Sequence, residues 1–276
     1  MKGQDIKRRI SGVKETVKIT KAMQMIAVSK IYKTQQKFEN SRKFLSEVEN
    51  SIRLLMTSAF YNHPYFDNRK GDRTAYIVIS GDKGFCGDYN SLILDTALKD
   101  MQDKNVVKIF AVGKTASDFF KKKGMNVSSS YIHLLQNPMF FDAQIISNDM
   151  LKIFVEEKID NLYLVFTETY SLSVQRVAVR KILPLDYVQQ DNVTPILNKD
   201  KDISSLLSQY VWAKILYALN SASLAINYKT MLTMQQATSN GYDMIKQLQL
   251  DYNHKRQENI TTELLDIATS QQGKRI

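Results

Sequence analysis

Cysteine is nearly absent from this chain of 276 residues. The single Cys86 excludes an internal disulfide, and with only His63, His133 and His254 beside it no Cys/His spacing resembles a zinc site. A reducing compartment is the simple inference. No apolar run approaches the roughly 18 residues that span a bilayer, and the first twenty or so residues lack the apolar core of a signal peptide. The opening MKGQDIKRRISGVKETVK is basic and amphipathic like a transit peptide, but Asp5 and Glu15 interrupt it and its periodicity runs on into the rest of the chain. It is therefore expected to be structure. Helix breakers are also scarce, with 4 prolines and 10 glycines. Between Val13 and Gly71 there is no glycine and only Pro64, and from Ile203 to Gln272 there is no proline and only Gly241. Two long uninterrupted helices follow.

The first is expected from about Asp5 to about Phe60, with a heptad running through it. Ile10, Val17, Gln24, Ile31, Phe38, Leu45, Ile52 and Ala59 are spaced by seven, and Ile6, Val13, Thr20, Ala27, Thr34, Ser41, Val48 and Leu55 form the companion row. So sustained a repeat implies a supercoil. At 1.5 Å per residue the helix would be about 80 Å long, and it needs an equally long partner. The other end of the chain supplies one. Apolar or aromatic residues recur at Tyr210, Tyr217, Leu224, Met231, Ile245 and Tyr252, with Leu206, Ala213, Met234 and Leu248 beside them. Past Tyr252 the stripe slips by four, to Arg256, Ile260 and Leu264, with Ile267 beside the last. Such a stutter unwinds a coiled coil locally, so the last turns should extend beyond the N-terminal helix and meet something else.

Between the helices, strand signals fall at 74–80, 106–113, 127–134, 161–170 and 175–185, and helix signals near 90–102, 115–123 and 142–157. The fold class expected is α/β: a long antiparallel coiled coil of the terminal helices (1–60 and 203–276) with an inserted Rossmann-like domain of about five strands (72–200). Its sheet should be mostly parallel, with an antiparallel edge from the last strand.

Candidate active sites in the insert are weak. FAVGKTASDFF carries the GKT tail of a phosphate-binding loop, but the position that needs the first glycine is Lys108. A plain strand-to-helix turn is the expectation. In SGDKGFCGDYN, Gly81, Gly84 and Gly87 could let a ligand approach the backbone; the alternative is a turn capped by Asp82 with Cys86 packed beneath it. Glu156 and Glu157 are adjacent, so on a helix they point apart and cannot flank a substrate. Lys121 to Lys123 suit a solvated helix C-terminus. No catalytic residue, cofactor site or metal site emerges.

Charge is unevenly placed. Of the net +10, residues 1–58 hold 13 Lys/Arg against 5 Asp/Glu, whereas residues 59–202 hold 18 of each. In KITKAMQMIAVSKIYKTQQKF, from Lys18 to Phe38, every charge is a lysine, and Ile19, Ala22, Met23, Met25, Ile26, Ala27 and Val28 go right round a helix. Either such a segment is covered by the C-terminal helix or it meets partners on its other sides. A basic coiled-coil nucleic-acid binder would need aromatics among its bases or a groove-sized basic face. Here the first aromatic is Tyr32 and the bases are spread round the helix, so no nucleic-acid partner is expected.

Three stretches, ISGVKETVKITKAMQMIAVSKIYKTQ (Ile10 to Gln35), SGDKGFCGDYNSL (Ser80 to Leu92) and LDYNHKRQENITTELLDI (Leu250 to Ile267), together closely resemble the gamma subunit of F-type ATP synthases. The resemblance implies a non-catalytic rotor, with the paired helices turning inside a hexamer of α and β subunits. It places the α/β insert at the foot beside the epsilon subunit and the membrane c-ring, peripheral on the cytoplasmic side of a bacterial membrane. It also implies that Lys18, Lys21, Met23, Met25 and Lys30 face acidic β-subunit loops at the mouth of the hexamer, and that Arg256, Gln257, Thr261 and Glu263 contact a β-subunit loop. The chain departs from the family where a Glu/Arg pair four apart usually precedes a methionine: Ile226 and Thr230 stand there, before Met231. Asn227 and Lys229 lie close by but face different directions. In the glycine turn Lys83, Phe85 and Asp88 replace the usual Arg, Leu and second Gly. These departures leave open a motor that hydrolyses ATP without a membrane ring.

Overall fold

The computed structural model describes residues 3–56, 64–66, 69, 71–156, 158–185 and 200–272. Helix α1 spans Gly3–Met56 and α5 spans Asp200–Gln272. Between them come β1 (Arg73–Ile79), α2 (Tyr89–Met101), β2 (Asn105–Val112), α3 (Lys114–Lys122), β3 (Val127–Tyr131), α4 (Phe140–Val155), β4 (Asn161–Thr169) and β5 (Gln175–Leu183). The strand and helix order is the one the sequence pattern predicts. Ala59, the expected helical residues 57–60 and Glu157 lie outside the described residues. The chain folds as two compact units, Met1–Ala27 with Met231–Ile276, and Val28–Thr230.

In the larger unit the five strands form one sheet in the order β3-β2-β1-β4-β5. β1 pairs parallel with β2 and β4, β2 pairs parallel with β3, and β5 runs antiparallel to β4 along the edge. The apolar run TAYIVI of β1 is buried throughout, as a central strand covered on both faces requires. At the opposite edge, β3 (VSSSY) alternates between half-buried and exposed. α2 and α3 cover one face through Ile93, Leu94, Ala97, Ala116 and Phe120. α4 covers the other with the larger unit's parts of α1 and α5, through Ile146, Met150 and Phe154, Leu45 and Val48, Val211 and Ala218.

α5 is buried almost all round from Val211 to Ala225, and small residues make that possible. Ser221 Oγ donates to the Thr167 carbonyl at 2.8 Å and accepts from the Thr169 amide at 2.9 Å. Ser223 Oγ donates to the Leu135 carbonyl at 2.7 Å. These hydroxyls satisfy backbone groups at the end of β4 and before α4 that the helix shields from water. Phe38 on Tyr217 and Phe44 on Trp212 show the two long helices running antiparallel in this unit.

The N-terminal end of β1 is held by a buried carboxylate. Asp160 accepts from the Arg73 amide at 3.0 Å, from its Nε at 2.9 Å and from its Nη2 at 2.8 Å. Hydrogen bonding from Arg73 holds the Asp160 carboxyl below the usual carboxylate range. With the folded value depressed, its contribution to stability is complete above the ordinary carboxylate pKa of about 4. It is lost as pH falls through the folded value. Asp160→Ala removes the acceptor for three donors and should destabilise the full chain by about 2–3 kcal/mol at neutral pH. Denaturant titration at pH 7 and at pH 3 checks this, and the gap between wild type and variant should narrow at the lower pH.

In the smaller unit, Thr20 meets Thr238 and Val17 meets Gly241, so the helices are antiparallel here too. Among the described residues, every α1 residue that is buried, namely Ile6, Val17, Thr20, Ala27, Ile31, Thr34, Phe38, Ser41, Leu45, Val48 and Ile52, belongs to one of the two heptad rows.

Candidate functional site

The loop with the GKT tripeptide is closed to an anion by the chain itself. A phosphate at the start of α3 would need its first amides free. Instead the Lys114 amide donates to Asp82 Oδ1 at 3.0 Å, that of Thr115 to the Gly81 carbonyl at 3.2 Å and that of Ala116 to Ser80 Oγ at 2.8 Å. Gly113, at φ +92°, brings its backbone so close that a Cβ there would stand 2.0 Å from the Ser80 carbonyl oxygen. The glycine turn is likewise self-satisfied. Asn90 Oδ1 accepts from the Gly81 amide at 2.7 Å, Asp82 also accepts from the His133 amide, and Cys86 is buried beneath. Burial pushes the Cys86 thiol up, away from the reactive thiolate. The capped-turn reading of SGDKGFCGDYN therefore describes this loop. Among the described residues no group of three or more His, Cys, Asp or Glu is placed to hold a metal ion.

What the chain does display is apolar surface on α1. Ala27 is 3% exposed, while Ile19, Met25 and Ile26 are 60%, 67% and 57% exposed. Ala22 is exposed and Met23 half-buried. α5 covers the two heptad rows at Val17, Thr20 and Ala27, while Ile19, Ala22, Met25 and Ile26 of the all-round apolar stretch remain open. Covering by the C-terminal helix thus accounts for Ala27 and not for Met25 or Ile26. Lys18, Lys21 and Lys30 are exposed. Lys18 is held by Glu15 at 2.8 Å, so the positive face of the band is narrower than its lysine count suggests.

The other four predicted contact residues, Arg256, Gln257, Thr261 and Glu263, are all exposed on α5. Thr261 Oγ1 donates back to the Gln257 carbonyl at 2.9 Å and keeps only its acceptor capacity. Arg256 lines a shallow cleft with Gln4, Lys7, Tyr252 and Asn259. The structure thus separates the predicted residues into two sets. Thr238, which marks the level of the band, lies 18 residues from Arg256, about 27 Å along the helix. Beyond Tyr252 the shifted stripe is exposed at Ile260, Leu264 and Ile267, as a helix outrunning its partner requires.

Sequence reasoning missed the ion pair at the glycine turn. Lys229 Nζ lies 3.0 Å from Asp88 Oδ1, joining α5 to the glycine turn. The hydrogen bond from Lys229 holds the Asp88 carboxyl below its ordinary range. Asp88, one of the departures from the family pattern, is therefore paired with Lys229, a neighbour of the departures at Ile226 and Thr230, at a sequence separation of 141. Weighing Lys229 only against its helical neighbour Asn227 could not reveal this.

A family model described as ATP synthase matches residues 2–272. The ATP synthase gamma chain of Alkaliphilus metalliredigens is 34% identical over 279 residues, covering 96% of each chain. The chain belongs to the ATP synthase gamma-chain family. The gamma chain of Heliobacterium modesticaldum is 30% identical, again with 96% of each chain covered. Among solved structures, a chain of the Euglena gracilis mitochondrial ATP synthase, from an assembly of OSCP, F1 and c-ring, superposes with a TM-score of 0.77 at 18% identity, covering 99% of this chain and 96% of that one. At that identity the likeness shows a shared fold: two long terminal helices around a five-stranded mixed sheet.

Proposed function

We propose that this family member is the non-catalytic central rotor of an F-type ATP synthase, coupling rotation to nucleotide turnover in a surrounding hexamer of α and β subunits. The observation that carries the reading is the open apolar band of Ile19, Met25 and Ile26 on a helix whose other face is sealed. Exposed surface of this kind marks a contact site, and methionine adapts to surfaces that change. A part met in turn by equivalent partners needs no privileged direction, and lysines beside the band suit acidic loops. Residues 1–60 and 203–276 form the shaft in this reading, and 72–200 form the foot beside the epsilon subunit and the membrane c-ring. The complex would sit peripherally on the cytoplasmic side of a bacterial membrane. Family membership and the c-ring assembly in which the Euglena chain was seen support a peripheral place beside a membrane ring.

Native purification of the tagged chain, with identification of the proteins that come with it, tests the reading. A hexameric ATPase is the expected companion; a chain purifying alone or with nucleic acid would sink it. The contacts of Lys18, Lys21 and Lys30 should each contribute no more than about 1 kcal/mol, as exposed ion pairs do. Single Lys→Gln substitutions at these positions should therefore leave coupled turnover close to wild type.

A further inference from the structure

The helix pair of the smaller unit fits in one register. Along α5, Met231, Thr238 and Ile245 form one heptad line and Met234, Gly241 and Leu248 the other. Thr238 Oγ1 lies 2.8 Å from Thr20 Oγ1, and both residues are buried. Thr238 Oγ1 is also 2.8 Å from the Met234 carbonyl. Thr20 Oγ1 is likewise 3.1 Å from the Val17 carbonyl, so the two hydroxyl protons serve three short contacts: one hydroxyl donates across the pair while the other donates to its own helix carbonyl. One turn on, a Cβ on Gly241 would stand 2.3 Å from Val17 Cγ2. Val17 is buried and β-branched, and such a side chain keeps essentially one rotamer in a helix. Its methyl cannot swing aside. A slip by one heptad would set Met234 or Leu248 against Val17 and Met231 or Ile245 against Thr20. Each is far larger than glycine, and none carries a hydroxyl.

We infer that Val17, Thr20, Thr238 and Gly241 are positioning residues: a register pin that decides which turns of α5 stand beside the band of Ile19, Met25 and Ile26, and so how that band is presented to its partners. The inference rests on the rotor reading. A glycine in a helix interior weakens the helix, and here it admits the Val17 methyl. The hydroxyl pair acts as a polar group in a coiled-coil seam does, selecting a register that apolar contacts alone would leave open.

The test uses the intact complex, with spin labels at Lys14→Cys and Lys246→Cys in a Cys86→Ser background, reading the label distance and the coupling of ATP hydrolysis to ion transport. Gly241→Ala should shift or broaden the distance and lower coupling several-fold. Adding Val17→Ala, which removes the opposing methyls, should restore both, a rescue that a simple loss of stability would not show. Thr238→Val keeps the volume and should assemble even where Gly241→Ala does not, broadening the same distribution. Wild-type distances in both single variants overturn the pin, as does a shifted distance with unchanged coupling. Met23→Lys in the same complex separates the two ideas. If it uncouples while Gly241→Ala changes nothing, the rotor reading stands and the pin falls; if it leaves coupling intact, the band has no rotor role and both fall.

Discussion

Met23→Lys is expected to leave the complex assembled and ATP hydrolysis measurable, while hydrolysis becomes poorly coupled to rotation. Met23 is half-buried beside the open residues Met25 and Ile26, so a lysine there can run its methylenes along the band and hold its ammonium in water. Folding is therefore preserved. In the proposed rotor role the new charge would sit within a sliding surface, where it would form an extra pair with a passing carboxylate. If that pair holds one angular state by about 1.4 kcal/mol more than the others, escape from it slows about tenfold when the barrier top is unchanged. High salt should relieve the defect in part by screening. Reconstituted complexes assayed at low and high ionic strength provide the measurement, and full coupling at both would mean that the band makes no moving contact.

Truncation after Leu250 should have the second large effect, and a selective one. It removes Arg256, Gln257, Thr261 and Glu263 together with the exposed stripe of Ile260, Leu264 and Ile267. Among the described residues, none packed into either core of the larger unit lies beyond Ile226, so the α/β fold should melt as before. Assembly and coupled turnover should fall. The start of α1 also loses cover, since Gln4 and Lys7 share their cleft with Tyr252 and Arg256. Uncovering the buried Ile6 would cost about 1–2 kcal/mol. An Arg256→Ala/Gln257→Ala double variant separates the side-chain contacts from the loss of the helix. Unchanged coupled ATPase activity in the truncated complex would rule out an essential role for this end of α5.

The sequence by itself determined the local elements, because each carries its own period. The heptad rows of α1 name its buried face from Ile6 to Ile52, and the continuous run of β1 marks a strand buried on both sides. The slip past Tyr252 foretells the exposed end of α5. The family was legible for the same reason, through three contiguous motifs in order. Tertiary structure alone decided what depends on residues far apart in the chain. A period shows that Ile19 to Val28 is apolar all round; only the seat of α5 covers Ala27 and leaves Met25 and Ile26 open. Gly241 reads in sequence as a weak point of a helix, and becomes the place where the Val17 methyl enters. The sheet order and the pairing of Asp88 with Lys229 have no local signature either. Hydrogen bonding, charge and close packing act over a few ångströms of space, and only the fold determines which residues come within that range.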